Sequence, residues 1–404
     1  TEDGRTLYYS AERDGNWGIW RTSLVNKDDK YFTYATEFKE ELFSDEGETC
    51  FQPSVSPDGK YVAYLRDRTE LVIKPTKGGK TISLLKGANY SYIDGDLSFE
   101  WSPDSHYLLT TYQANGGWNN EDIAVIDIDT KEITDLTLSG YSDSAFRWAL
   151  GGKAMTWESD KDGYRSHGSW GAEGDVYIMF FDGETMTKFL RDKEDAEIAK
   201  LLDGSDKKEE EKKDKKDSTD KKKPEKLKLD LENRADRIIR LTGFSGRLGD
   251  HYLTEDGTKL YYEVRLESSY DLCVRDMKEG NVTVLKKGVA GSIIPSRDGK
   301  YIYIASGRGI SRIGIAGGDT KSISYSGEYE FKPMAERQYI FDHMWKQVKE
   351  KFYDPNLHGV DWDYYKQNYS QFLPYINNNF DFQELLSEIL GELNASHTGG
   401  RYYY

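Results

Sequence analysis

Near the end of this sequence stands Glu392-Leu-Asn-Ala-Ser-His-Thr-Gly-Gly400, and Ser396–His397 is its most chemistry-capable pair. An imidazole titrates near neutral pH, so His397 has the properties of a general base. It follows a helical pattern and precedes Thr398-Gly-Gly, which holds the ring on a rigid element while letting it face a cleft. The residues alone leave a plainer reading open. Ser396 could bond a free carbonyl at a helix C-terminus, with His397 favouring the helix dipole.

Other candidates are weaker. His358-Gly-Val-Asp361-Trp-Asp363 has metal-ligand residue types but reads better as a loop between helices with an N-cap. Asp160-Lys-Asp-Gly163 and Asp14-Gly15 resemble calcium loops, yet both fall between predicted strands where a hairpin turn suffices. His167 sits in a long Gly-rich loop that could reach a propeller mouth, with nothing to fix a role. His106, His251 and His343 carry no partner signal. Cys50 and Cys273 lie far apart and read as two buried free thiols. There is no Gly-x-Ser-x-Gly elbow, so a hydrolase domain of the prolyl-oligopeptidase type is not expected within these residues. There is no phosphate loop or dinucleotide fingerprint either, and no metal or cofactor is expected.

The elements that must position Ser396 and His397 begin with a repeat. A polar turn followed by strands recurs as Glu2-Asp-Gly, Ser56-Pro-Asp-Gly, Ser102-Pro-Asp-Ser, Leu150-Gly-Gly, Glu255-Asp-Gly and Ser296-Arg-Asp-Gly. Its last residue falls at 4, 59, 105, 152, 257 and 299. The intervals are 55, 46, 47, 105 and 42 residues, and all but the 105 lie in or near the roughly 40–50 residues of a four-stranded propeller blade. The expected architecture is therefore mainly β: a β-propeller over 1–326 with six visible blades, a seventh left open. The long interval contains Ser205–Lys228, with 11 Lys and 8 acidic residues in 24 and no aromatic side chain. Such a segment cannot bury enough apolar surface to order itself, so a disordered insertion is expected at about 205–228. Arg234–Thr242 should then supply that blade's outer strand.

After Ser326 the period changes to helical. Phe341, Trp345, Val348 and Phe352 mark a helix over Met334–Tyr353; Trp362, Tyr365, Tyr369 and Phe372 mark a second near Asp361–Phe372. A third is expected to open with Asp381 as N-cap and Glu384 completing a capping box, with Phe382, Leu385, Leu386, Ile389, Leu390 and Leu393 on its face. Residues 327–404 thus read as a small all-α domain ending at Ser396-His397.

Composition sets outer limits. The 404 residues carry a net charge of −16, which argues against nucleic acid as partner. Aromatics reach 14%, with 30 Tyr and 9 Trp, which fits many short strands rather than disorder. No apolar run is long enough to span a membrane. The chain opens on Thr1-Glu-Asp-Gly in mid-repeat, and both ends are expected to be cut from something longer.

The combination of Ser-Pro-Asp-Gly repeats with Phe352-Tyr-Asp-Pro355, His358-Gly-Val-Asp-Trp362 and Glu392-Leu-Asn-Ala-Ser-His397 resembles the tricorn protease family, the tricorn-like serine peptidases. The resemblance implies a propeller before the helical domain, with seven blades rather than six. It also implies later PDZ-like and catalytic domains that contribute a nucleophilic Ser and a Glu, neither of which has a counterpart here. By resemblance His397 matches the general base and Ser396 the serine that helps orient the catalytic group. Peptide substrates filtered by the propeller, and a homo-oligomeric full-length protein, are further implications. A periplasmic location is expected, with the cytoplasm as alternative. The competing expectation is a non-enzymatic propeller binding module whose helical tail serves in docking.

Overall fold

Four of the repeat turns share one hydrogen-bond design, seen here in a computed structural model. In Ser56-Pro-Asp-Gly59, the Asp58 carboxylate accepts from the Ser56 hydroxyl (2.8 Å) and the Lys60 amide (3.1 Å). Ser56 Oγ in turn accepts from the Tyr61 amide (3.0 Å). The same three bonds recur around Ser102/Asp104, Thr254/Asp256 and Ser296/Asp298. The residue after each Asp is left-handed, at φ 70 for Gly59 and φ 67 for Ser105, which is why Gly is preferred there. The motif is a side-chain-stapled hairpin.

The structure describes residues 1–13, 15–113, 117, 119–165, 172–195, 198–199, 225–296, 298–307, 309–315 and 320–401. His167, and residues 205–224 of the charged insertion, lie outside them. The chain divides into two compact units, Thr1–Ser324 and Tyr325–Tyr404.

Among the described residues the first unit is a six-bladed propeller. Blade 1 has three strands, β1 (Thr6–Arg13), β2 (Asn16–Leu24) and β3 (Phe38–Leu42). Blade 2 has four, β4 (Cys50–Val55), β5 (Tyr61–Arg66), β6 (Glu70–Pro75) and β7 (Ile82–Lys86). Blade 3 follows with β8 (Phe99–Trp101), β9 (Tyr107–Tyr112), β10 (Asp122–Asp127) and β11 (Ile133–Asp135). Blade 4 comprises β12 (Asp143–Ala149), β13 (Ala154–Ser159), β14 (Asp175–Phe180) and, after the charged insertion, β15 (Ile238–Arg240). A short helix α1 (Gly183–Leu190), N-capped by Asp182, leads into that insertion. Blade 5 is β16 (Leu248–Leu253), β17 (Lys259–Arg265), β18 (Tyr270–Asp276) and β19 (Val282–Lys286); blade 6 is β20 (Ser292–Pro295), β21 (Tyr301–Ser306), β22 (Gly309–Gly314) and β23 (Thr320–Ile323). All strand pairs within blades are antiparallel.

The apolar cores lie between blades. On β5, Val62 and Tyr64 pack with Ile19 and Phe43 of blade 1, while Ala63 packs with Trp101 and Leu108 of blade 3. Further clusters join blades 3 and 4, 4 and 5, and 5 and 6. A middle strand buried on both faces needs apolar side chains in both directions. That accounts for runs such as Asp-Ile-Ala-Val-Ile-Asp in β10.

The tail of the charged insertion departs from the expectation of disorder through Lys228. Lys226 Nζ lies 2.9 Å from Asp127 and 2.8 Å from Asp129, the Leu227 amide donates to Asp104 (2.7 Å), and Tyr107 donates to the Leu227 carbonyl (3.1 Å). A paired Lys and two backbone hydrogen bonds tie these residues to blade 3.

Candidate active site of the helical unit

The second unit is built from α2 (Pro333–Lys351), α3 (Trp362–Ser370) and α4 (Asn379–Gly391). Their apolar faces meet in one core: Phe341, Trp362, Phe382, Leu385, Ile389, Leu390 and Leu393 are buried, with Trp345, Val348, Phe352, Tyr365 and Tyr369 packed against them. Phe372, expected on the face of α3, is half exposed (50%) because α3 ends at Ser370 and the chain turns before it. The cap of α4 is also one motif earlier than expected. Asn378, not Asp381, is the N-cap: its Oδ1 accepts from the Asp381 amide (3.0 Å), and its Nδ2 donates back to the Asp381 carboxylate (2.8 Å). Either residue type can cap a helix, and Asn378 with Asp381 satisfies both ends of the exchange.

Residues 392–400 are held at several points. Tyr369 donates to Glu392 (2.8 Å), burial and this carboxylate together pushing its hydroxyl up to about 12. His358 donates from Nδ1 to the carbonyl of buried Leu393 (2.9 Å), and Asp354 accepts from the amides of Asn356 and His358 (2.9 and 3.1 Å), which lowers its carboxyl below the usual range. Thr398 Oγ1 donates to the Ala395 carbonyl (3.0 Å), and the Gly400 amide donates to Ser387 of α4 (3.1 Å). Between these anchors His397 takes a left-handed φ of 65, as does Asn394 at φ 47. Ser396 and His397 are both exposed, and Ser396 Oγ lies 2.5 Å from His397 Nδ1. With Nδ1 engaged by a hydroxyl, Nε2 is the nitrogen placed to exchange a proton with an incoming group.

The other described histidines also have partners. His358 belongs to the support of the 392–400 loop. His106 pairs with Asp129 (2.8 Å), and His343 stacks on Tyr339. Among the described residues no group of three or more His, Cys, Asp or Glu could hold a metal ion. Cys50 and Cys273 are free and buried, and burial pushes the Cys50 thiol up to about 12.

A second polar constellation, missed from sequence, lies where first strands converge. Residues of β4, β8, β12 and β16, from four different blades, border one cavity of about 430 Å³. Arg147 and Asp250 form an ion pair there (2.7 Å), and the Trp148 amide donates to Glu100 (3.0 Å). Behind them His251 is fully buried, its Nδ1 3.1 Å from Glu158 and its Nε2 3.0 Å from Thr156. Burial pushes Glu158 up to about 8 and His251 down to about 3, each toward its neutral form. Burial also pushes Glu100 up to about 7. The available signal was an acid after an aromatic residue in two second strands, at Trp157-Glu158 and again at Tyr262-Glu263.

The helical unit is where the similarity to known proteins is found in sequence. Residues 333–391 match the tricorn protease C1 domain. The chain is tricorn-like. Over 69 residues, 17% of its length, it is 35% identical to tricorn protease homolog 2 of Streptomyces coelicolor. Its fold matches the crystal structure of the tricorn protease with a TM-score of 0.68 at 13% identity, over 98% of this chain. TolB from Acinetobacter baumannii is similar over 78% of the chain, at 16% identity and a TM-score of 0.43. The tricorn-like chain spans 37% of the solved tricorn protease, and its aligned stretch is 6% of the Streptomyces relative.

Proposed function

We propose that this tricorn-like chain belongs to a serine peptidase acting on short or unfolded peptides, the propeller filtering substrate and the helical unit supplying the general base. What supports the reading is the contact of Ser396 Oγ with His397 Nδ1 on an anchored, exposed loop next to a segment matching the tricorn protease C1 domain. On this reading Ser396 orients the imidazole and leaves Nε2 to act. A serine contributed from outside these residues, assisted by a Glu, attacks the peptide carbonyl while His397 Nε2 takes its proton. His397 then returns that proton to the leaving amine, and water hydrolyses the acyl-enzyme. The full-length protein is a homo-oligomer in this proposal and works in the periplasm, the cytoplasm being the alternative that cell fractionation would decide.

The test is His397→Ala in the full-length parent. Cleavage of small fluorogenic peptides should fall by roughly two orders of magnitude or more, with folding unchanged. Retained turnover would remove His397 from the mechanism. The 404-residue chain alone should show no hydrolysis, and activity in it would overturn the division of the site.

A further inference from the structure

Between blades 5 and 6 a second cavity, of about 580 Å³, is bordered by Asp250, Glu263, Tyr270, Gly291 and Ser292. It adjoins the cavity that holds Arg147, because Asp250 and Ala145 line both. Glu263, on β17, is 1% exposed. Its Oε2 accepts from the Gly291 amide (3.1 Å), whereas its Oε1 is buried with no hydrogen-bond partner. The carboxylate fits because residue 249 is glycine: a Cβ there would stand 2.7 Å from Glu263 Oε2. Asp250 is fully engaged, taking Arg147 and the Ile293 amide on Oδ2 (2.7 Å each) and the His251 amide on Oδ1 (2.8 Å). Burial without a partner for Oε1 pushes the Glu263 carboxyl up to about 7, a cost that an arriving cation would relieve by holding it ionised.

We propose that this pocket binds a primary ammonium group at Glu263 Oε1. The arrangement discriminates among cations. A guanidinium would seek both carboxylate oxygens, but Oε2 already takes the Gly291 amide. A divalent ion needs several hard oxygen ligands, and the neighbouring acid is occupied. A compact ammonium can take one open oxygen and needs no second carboxylate. The ammonium can come from a peptide's α-amino group or a lysine side chain, and the pocket is large enough to seat the atoms attached to either. This assignment goes beyond the peptidase reading, since it concerns binding by the propeller and involves neither His397 nor turnover.

The experiment measures binding by calorimetry at pH 7.5 to the 404-residue chain. Its probes are triglycine amide, Nα-acetyl-lysine methylamide and N-acetyl-triglycine amide. At least one of the first two should bind, and which one does identifies the source of the ammonium. The third should bind about ten-fold more weakly or worse. Glu263→Gln keeps an acceptor for Gly291 but removes the charge, and should weaken binding by about ten-fold or more. Gly249→Ala displaces the carboxylate and should have the same effect, deciding the matter if the first variant does not fold. Equal binding of the acetylated triglycine, binding by both variants at wild-type strength, or no binding of either ammonium probe would each overturn the proposal. None of these results bears on His397→Ala.

Discussion

Trp345 and Trp362 exchange hydrogen bonds: the indole of Trp345 donates to the carbonyl of Trp362 (3.1 Å), and the indole of Trp362 donates to the carbonyl of Trp345 (3.0 Å). This reciprocal pair fixes α2 against the start of α3, with Trp362 buried in the core and Lys349 and Lys366 over the Trp345 ring. Trp345→Phe keeps most of the ring and leaves the Trp362 carbonyl without its donor. It should destabilise the helical unit by about 1–2 kcal/mol. Hydrogen exchange of α2 and α3 amides would register the loss, and unchanged protection would mean the exchange is ornamental.

The loop carrying Ser396 and His397 should depend on residues that never reach a substrate. His358→Ala removes the donor to Leu393, and Ser396→Ala removes the hydroxyl beside His397 Nδ1. If His397 is the base, each lowers kcat of the full-length parent by about 10- to 100-fold with KM little changed. A change confined to KM would assign both residues to substrate binding instead.

Stability should respond to pH through Glu158. Its carboxyl, raised to about 8 in the folded protein from an ordinary 4.5, holds a proton that the unfolded chain has already lost. Between these values the folded state binds the extra proton, so this contribution falls as pH rises and is gone above about 8. His251 has the opposite slope, lowered from 6.5 to about 3, and largely cancels when two variants sharing it are compared. The stability of the wild type relative to Glu158→Gln should therefore decline from pH 5 to pH 8, by at most about 1.4 kcal/mol per unit. Thermal melts of the two proteins across that range measure it, and a flat difference would place an ionised Glu158 in the core.

Asp104 is the hub of one stapled turn and also receives the Leu227 amide. Asp104→Ala should cost about 1–3 kcal/mol and release residues 225–228. Limited proteolysis should then cut near Lys226 and Lys228 faster than in the wild type.

How much of this was legible in the sequence follows from how far apart the interacting residues lie. The stapled turn is complete within six residues, so Ser56-Pro-Asp-Gly announces both the hairpin and the blade. The faces of α2 and α4 were readable because a helix puts Phe341, Trp345 and Val348, or Leu385 and Ile389, on one side by geometry alone. The cap of α4 was misplaced because Asn378 and Asp381 are both competent and bond to each other. His251 was unreadable: Glu158 and Thr156 stand 93 and 95 residues away, and only the stacking of blade 4 on blade 5 brings them together. The Ser396–His397 contact needed no fold at all, but its support from His358 crosses 35 residues.

The two buried thiols give the propeller its own reporters. Cys50 lies in the core shared by blades 1 and 2, Cys273 in the core shared by blades 4 and 5. A thiol reagent reaches either only when that seam parts. Comparing the two labelling rates would tell whether the ring of sheets breathes locally, one junction at a time, or opens as a single cooperative body.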